Sequence, residues 1–167
     1  MIRVWAGEKG SEEVDADGRQ NIIEDANRIG KMTSEANLSV SLEYHMDTLT
    51  DTPESAYQLM QEITSPNVYL YWQSAESLSI EERIESLPKL GPWITNVHVF
   101  HWKDFYHRYP LAEGQDEWLQ YIQNIEDSST NKHHYLIEFV HGKDQKQEFL
   151  ESVKTLKEWL NQLNIDS

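Results

Sequence analysis

Five segments of the chain alternate apolar and polar positions with the period of two that marks a β-strand. They are residues 2–7, 38–45, 67–73, 94–101 and 135–141. In the second, Leu38, Val40 and Leu42 share one face, and Ser39, Ser41, Glu43 and His45 share the other. In the third, Val68, Leu70 and Trp72 oppose Asn67, Tyr69, Tyr71 and Gln73. In the fourth, Val97 and Val99 oppose Asn96, His98 and Phe100. In the fifth, Tyr135, Ile137 and Phe139 oppose His134, Leu136, Glu138 and Val140.

Between these segments the apolar period lengthens to that of a helix. Ile22, Ile23, Ala26 and Ile29 form one stripe, with Gly30 near its end. Thr52-Pro53-Glu54 reads as an N-cap followed by proline in the first turn, ahead of Leu59, Met60 and Ile63. Ser79 and Glu82 have capping-box spacing, and Pro88 is expected to end the helix that carries Ile84 and Leu87. Trp118, Tyr121, Ile122 and Ile125 mark a fourth helix, and Phe149, Val153, Leu156, Leu160 and Leu163 a fifth. Strand and helix alternate five times, which predicts an α/β fold of five parallel strands, each followed by a helix, with right-handed crossovers. A sheet with one apolar and one polar face suits a barrel, helices outside and a site within, better than an open sheet covered on both faces. A complete (β/α)8 barrel has eight strands and about 250 residues. With 167 residues, the expectation is a single domain, 1–167, that is a partial (β/α)8 TIM barrel, the alternative being a small open sheet.

Composition narrows the possible roles. The chain has no cysteine, which removes disulfides, thiol nucleophiles and thiolate metal sites. Fourteen basic residues against 29 acidic ones give a net charge of −15, which repels nucleic acid. No apolar run approaches the roughly 20 residues of a membrane helix, and Met1 leads into a strand, not a basic and apolar leader, so a cytoplasmic protein with no membrane partner is expected. Dinucleotide-binding, P-loop, His-Glu-x-x-His and nucleophile-elbow motifs are absent.

The polar ends of the strands carry the candidate chemistry. Glu43, Gln73, His98 and Glu138 fall on the inward phase at strand C-termini, with His45 and His141 just beyond. One inward glutamate is more often structural than catalytic; two in the same phase on different strands raise the case for a site. His101 falls on the outer phase, and His133 and His134 lie at the opposite end of their strand, so structural roles are expected for all three. Trp72 and Trp159 are expected to pack.

The ordered set Ile2-Arg3-Val4-Trp5-Ala6-Gly7, Leu42-Glu43-Tyr44-His45, Tyr69-Leu70-Tyr71-Trp72-Gln73, Asn96-Val97-His98-Val99 and Ile137-Glu138-Phe139-Val140 resembles the last five strands of the sugar phosphate isomerase/epimerase superfamily, the xylose-isomerase-like TIM barrels, also called AP endonuclease family 2. The resemblance covers nearly the whole chain and implies that the first three βα units of the barrel are lacking. It implies one divalent metal (Mn, Mg, Co or Zn) held by Glu43, Gln73, His98 and Glu138. Gln73 stands where the family has a carboxylate, which lowers the charge available to a hard cation. It also implies Glu43 and Glu138 as the proton-transferring pair of a sugar or sugar-phosphate isomerase or epimerase working through an enediolate, with Arg108 as a substrate contact. His45 and His141, placed just past the strand ends, are the further candidates for touching substrate. Because a five-strand arc leaves two sheet edges unpaired, a homo-oligomer or a complementing chain is expected. The rival expectation is a non-catalytic barrel fragment that binds or self-associates.

Overall fold

The computed structural model describes residues 1–165. Strands β1 (Ile2–Val4), β2 (Val40–Glu43), β3 (Val68–Trp72), β4 (Ile94–Val99) and β7 (His134–Ile137) form one sheet in that order, and every pairing is parallel. Helices α1 (Ala16–Glu35), α2 (Pro53–Glu62), α3 (Ile80–Leu90), α4 (Gln115–Ser128) and α5 (Gln145–Gln162) follow the strands in turn. The sheet curls into part of a TIM barrel. A short antiparallel hairpin, β5 (Trp102–Asp104) and β6 (His107–Arg108), interrupts the path from β4 to α4. It has no counterpart in the period-two reading, because each arm is only two or three residues long.

The apolar phase of the strands packs outward against the helices. Val40, Leu42, Leu70 and Val97 join Leu59, Leu87, Trp118 and Ile122 in one buried core. The start signals hold: Thr52 accepts from the Ser55 amide at 3.2 Å, and Ser79 and Glu82 form a reciprocal capping box. Asp15 caps α1 by accepting from the Gly18 amide. Gly30 lies inside α1, where any Cβ would sit 2.4 Å from Ser65 Oγ, so glycine permits the close approach to the loop before β3. Pro88 does not end its helix, which runs on to Leu90. Proline inside a helix costs about 3 kcal/mol, whereas Leu87 and Leu90, both fully buried, contribute about 2 kcal/mol each. Burial therefore outweighs the lost backbone bond.

The inward phase is continuous across the sheet. Arg3 lies opposite Ser41, and Ser41 opposite Tyr69. One pleat further on, Glu43, Tyr71, Asn96 and His134 lie side by side, and His98 sits opposite Leu136. A bulge between Leu70 and Tyr71 keeps β4 in phase. Among the described residues, β1 pairs with β2 alone and β7 with β4 alone. Trp5, Leu136 and Leu150 near these edges stay exposed.

Candidate active site

Glu43, at the end of β2, is 4 % exposed. A buried carboxylate needs partners, and two residues of the first strand segment supply them. Arg3 Nη1 donates to Glu43 Oε1 at 3.2 Å, and the Trp5 indole N–H donates to Oε2. Neither residue stands at a strand end, where the candidate ligands were sought. Arg3 and Trp5 share the inward phase, and the same alternation that exposed Glu43 marks them. Arg3 sits a full pleat below the strand ends, and only the length of its side chain carries the guanidinium to their level.

His98, inward on β4, is as buried as Glu43. Its Nε2 lies 3.1 Å from Arg3 Nη1. Guanidinium can only donate, so Nε2 is the acceptor and the ring proton resides on Nδ1. That proton points to Gln73 Oε1, 3.0 Å away. Burial, then the charge of Arg3, hold the imidazole neutral and push its pKa down to about 4. The His98 ring also packs on Tyr71, centroids 4.2 Å apart. Burial and the Arg3 charge act on that phenol in opposite senses, and burial wins, pushing its pKa up to about 12.

Glu138 follows β7 directly, and its amide continues the ladder by donating to the Val99 carbonyl at 3.0 Å. Oε1 lies 3.7 Å from Arg3 Nη1, and Oε2 lies 3.3 Å from His98 Nδ1. The His98 proton is directed to Gln73, so Glu138 Oε2 is buried with no hydrogen-bond donor. Burial, reinforced by the negative charge of Glu43, raises the proton affinity of this carboxylate above its ordinary value. The next residue, Phe139, has φ 51°, a left-handed backbone that costs an aromatic residue about 1–2 kcal/mol. This turn sends the Phe139 ring into an aromatic cluster: it stacks on Trp102 at 4.8 Å and meets Phe105 edge-on at 5.8 Å.

These elements enclose a cavity of about 880 Å³, with Arg3, Glu43, Gln73 and Glu138 on one wall and Trp102, Phe105 and Phe139 on another. His45 lines it as well, stacked on Trp5 with centroids 4.6 Å apart. Glu43, Gln73, His98, Glu138 and His45 thus come together. Arg108 and His141 do not reach the cavity wall. Arg108 lies between the rings of Phe105 and Phe139, 4.8 and 4.9 Å from their centroids. His141 pairs with Glu148 on α5 at 2.9 Å. His101 bonds Glu117 of α4 at 2.9 Å, and His133 pairs with Glu126 at 3.0 Å, both away from the cavity.

Two carboxylates, an imidazole and an amide oxygen form a donor set chemically suited to a divalent cation, and the undonated Glu138 Oε2 leaves it with unmet demand. Among the described residues, however, no group of three or more His, Asp or Glu side chains is spaced to hold a metal ion as it stands. Gln73 Oε1, Glu138 Oε2 and Glu43 Oε1 lie 3.0, 3.3 and 3.4 Å from His98 Nδ1, while Arg3 Nη1 engages Glu43 Oε1 and His98 Nε2 from the other side of the ring.

No family model matches the chain. It is 28% identical to the 3-dehydroshikimate dehydratase of Bacillus anthracis, an alignment that spans 76% of this chain and 52% of that protein. The chain therefore covers about half the length of this curated relative. Among solved structures, it superposes on the "probable 3-DHS dehydratase AsbF involved in the petrobactin synthesis" from Bacillus anthracis with a TM-score of 0.73 at 25% identity, covering 93% of this chain and 62% of that one. A xylose isomerase-like TIM barrel protein from Mycobacterium smegmatis in complex with magnesium gives a TM-score of 0.67 at 18% identity, over 88% of this chain and 53% of that one. D-psicose 3-epimerase in the presence of D-fructose gives 0.62 at 15% identity, over 88% and 57%. The fold is that of the xylose isomerase-like TIM barrels, present as a partial barrel.

Proposed function

We propose that this half-barrel carries the proton-transfer site of an enzyme acting next to the carbonyl of a small polyhydroxylated substrate. The observation that carries this reading is the pair Glu43 and Glu138, which approach Nδ1 of a neutral His98 at 3.4 and 3.3 Å and differ in environment. Glu43 accepts two hydrogen bonds and is held in one orientation. Glu138 has the higher proton affinity of a buried carboxylate with one undonated oxygen. Glu43 removes the proton from the carbon beside the carbonyl, leaving an enolate. Glu138 then delivers a proton. In an isomerase or epimerase that proton goes back to carbon, at the neighbouring position or on the opposite face. In a dehydratase the enolate re-forms the carbonyl, the C–O bond of the hydroxyl on the next carbon breaks, and Glu138 protonates the departing oxygen as water. Glu43, Gln73, His98 and Glu138 would hold a divalent cation, which when bound supplies Lewis-acid stabilisation of the enolate oxygen.

The 3-dehydroshikimate dehydratase relative favours the dehydratase branch, and the epimerase neighbour keeps ketohexoses as the second substrate class. Purified chain with Mn²⁺ or Mg²⁺ is incubated with 3-dehydroshikimate and, separately, with D-fructose. Turnover is expected with one of them, falling at least about a hundredfold in Glu43→Gln and Glu138→Gln. Turnover unchanged by both substitutions would refute the assignment. A second reading rests on the two unpaired sheet edges: a fragment that binds or self-associates without catalysis. Under it, Glu138→Gln changes neither turnover, which is absent, nor assembly.

A further inference from the structure

Arg3 Nη1 is 3.1 Å from His98 Nε2, 3.2 Å from Glu43 Oε1 and 3.7 Å from Glu138 Oε1. One cationic nitrogen therefore takes up a lone pair of two candidate ligands, Glu43 and His98, and stands at ion-pair distance from a third, Glu138. Guanidinium N–H groups and a divalent cation ask for the same thing from these atoms, and one lone pair cannot serve both. His98 makes the exclusion sharpest. Its Nδ1 proton is committed to Gln73, so Nε2 is the only free ring nitrogen, and Arg3 occupies it. Arg3 is also free to leave. Its side chain is 45% exposed, whereas those of Glu43 and His98 are 5% exposed. It stems from β1, the strand at the sheet edge.

We infer that Arg3 is an internal competitor for the divalent cation: the guanidinium and the metal are alternative occupants of one position, and loading the site requires Arg3 to swing out. The inference rests on the reading that this site takes a divalent cation. It adds that a residue of this chain sets the affinity and holds the ligands in place when no metal is bound. Glu43 keeps a cationic partner in either state, so its buried charge is never left uncompensated.

Mn²⁺ binding to the full chain is measured by calorimetry for the wild type, Arg3→Met and Arg3→Lys. Arg3→Met removes the competing charge beside a doubly charged ion and is expected to tighten binding at least about tenfold. Arg3→Lys, cationic but without the planar fork, is expected to fall between. Equal or weaker binding by Arg3→Met overturns the competitor role and leaves the metal site standing. No binding by any of the three overturns both. The wild type gives a readout that needs no substitution. Titration with Mg²⁺ is expected to shift the side-chain N–H NMR signals of Arg3 in step with saturation, and Mg²⁺ binding that leaves them unmoved contradicts the inference.

Discussion

His98 is neutral because of where it sits. Its Nε2 accepts from Arg3 and its Nδ1–H is given to Gln73, so protonation would place a second cation beside a guanidinium in a buried setting. The folded chain therefore takes up this proton later than the unfolded chain as pH falls. The resulting stability is fully present above 6.5 and is lost as pH falls towards about 4. A shift of that size is worth about 3 kcal/mol. Glu138 acts in the opposite sense: its raised proton affinity favours the folded state at low pH, and that contribution is lost as pH rises through its folded value. Thermal unfolding across the His98 window is expected to show a falling midpoint in the wild type and a flatter profile in His98→Gln. Identical profiles would mean that His98 is not the titrating group. At this scale the inward placement of Glu43, His98 and Glu138 was legible from strand phase, whereas the roles proposed for them come from the family resemblance. The inward phase of Arg3 follows from the same alternation, but its role does not, because it lies one pleat below the strand ends and acts through a side-chain reach that alternation does not encode.

The β5–β6 hairpin forms one wall of the cavity through Trp102 and Phe105, and Arg108 ties it down by sitting between Phe105 and Phe139. Each cation–π contact of this kind contributes about 0.5–2 kcal/mol. Arg108→Ala is therefore expected to speed amide hydrogen exchange in residues 102–108 severalfold and to weaken substrate binding more than it slows turnover. Unchanged exchange would show that the hairpin is held by other contacts. The sequence marked Arg108 as a substrate contact through its place in the loop. In the folded chain its guanidinium lies between two aromatic faces, a pairing that depends on the left-handed backbone at Phe139. The course of α3 was hidden for a related reason. Pro88 is a local stop signal, and the burial of Leu87 and Leu90 that overrides it exists only in the packed molecule.

Across the whole molecule, five parallel strands in the order β1-β2-β3-β4-β7 with helices on the apolar side follow directly from the alternation of periods along the chain. Closure is a different matter, because a barrel ends its edges only by pairing the last strand with the first. Among the described residues β1 and β7 each have one neighbour, and apolar side chains such as Ile2 on β1 and Leu136 on β7 stand exposed. Exposed edges of this kind recruit partners. Size-exclusion chromatography with light scattering is expected to find the chain assembled as a dimer or larger, and a sharp peak at the 19.6 kDa of one chain would contradict that. The proposed chemistry has a more direct test. Proton removal beside a carbonyl exchanges substrate hydrogen with solvent, so 3-dehydroshikimate and D-fructose are each incubated in D₂O with the chain and Mn²⁺ or Mg²⁺, and deuterium is followed by NMR and mass spectrometry. With D-fructose, deuterium is expected at the carbon next to the carbonyl. With 3-dehydroshikimate, whose dehydration returns no proton to that carbon, the readout is loss of its hydrogen with formation of the dehydrated product. One of the two is expected in the wild type and neither in Glu43→Gln. With the site saturated by metal, the absence of both deuterium in the D-fructose pool and dehydration of 3-dehydroshikimate, or an equal signal in Glu43→Gln, would contradict a proton-transfer role for this site.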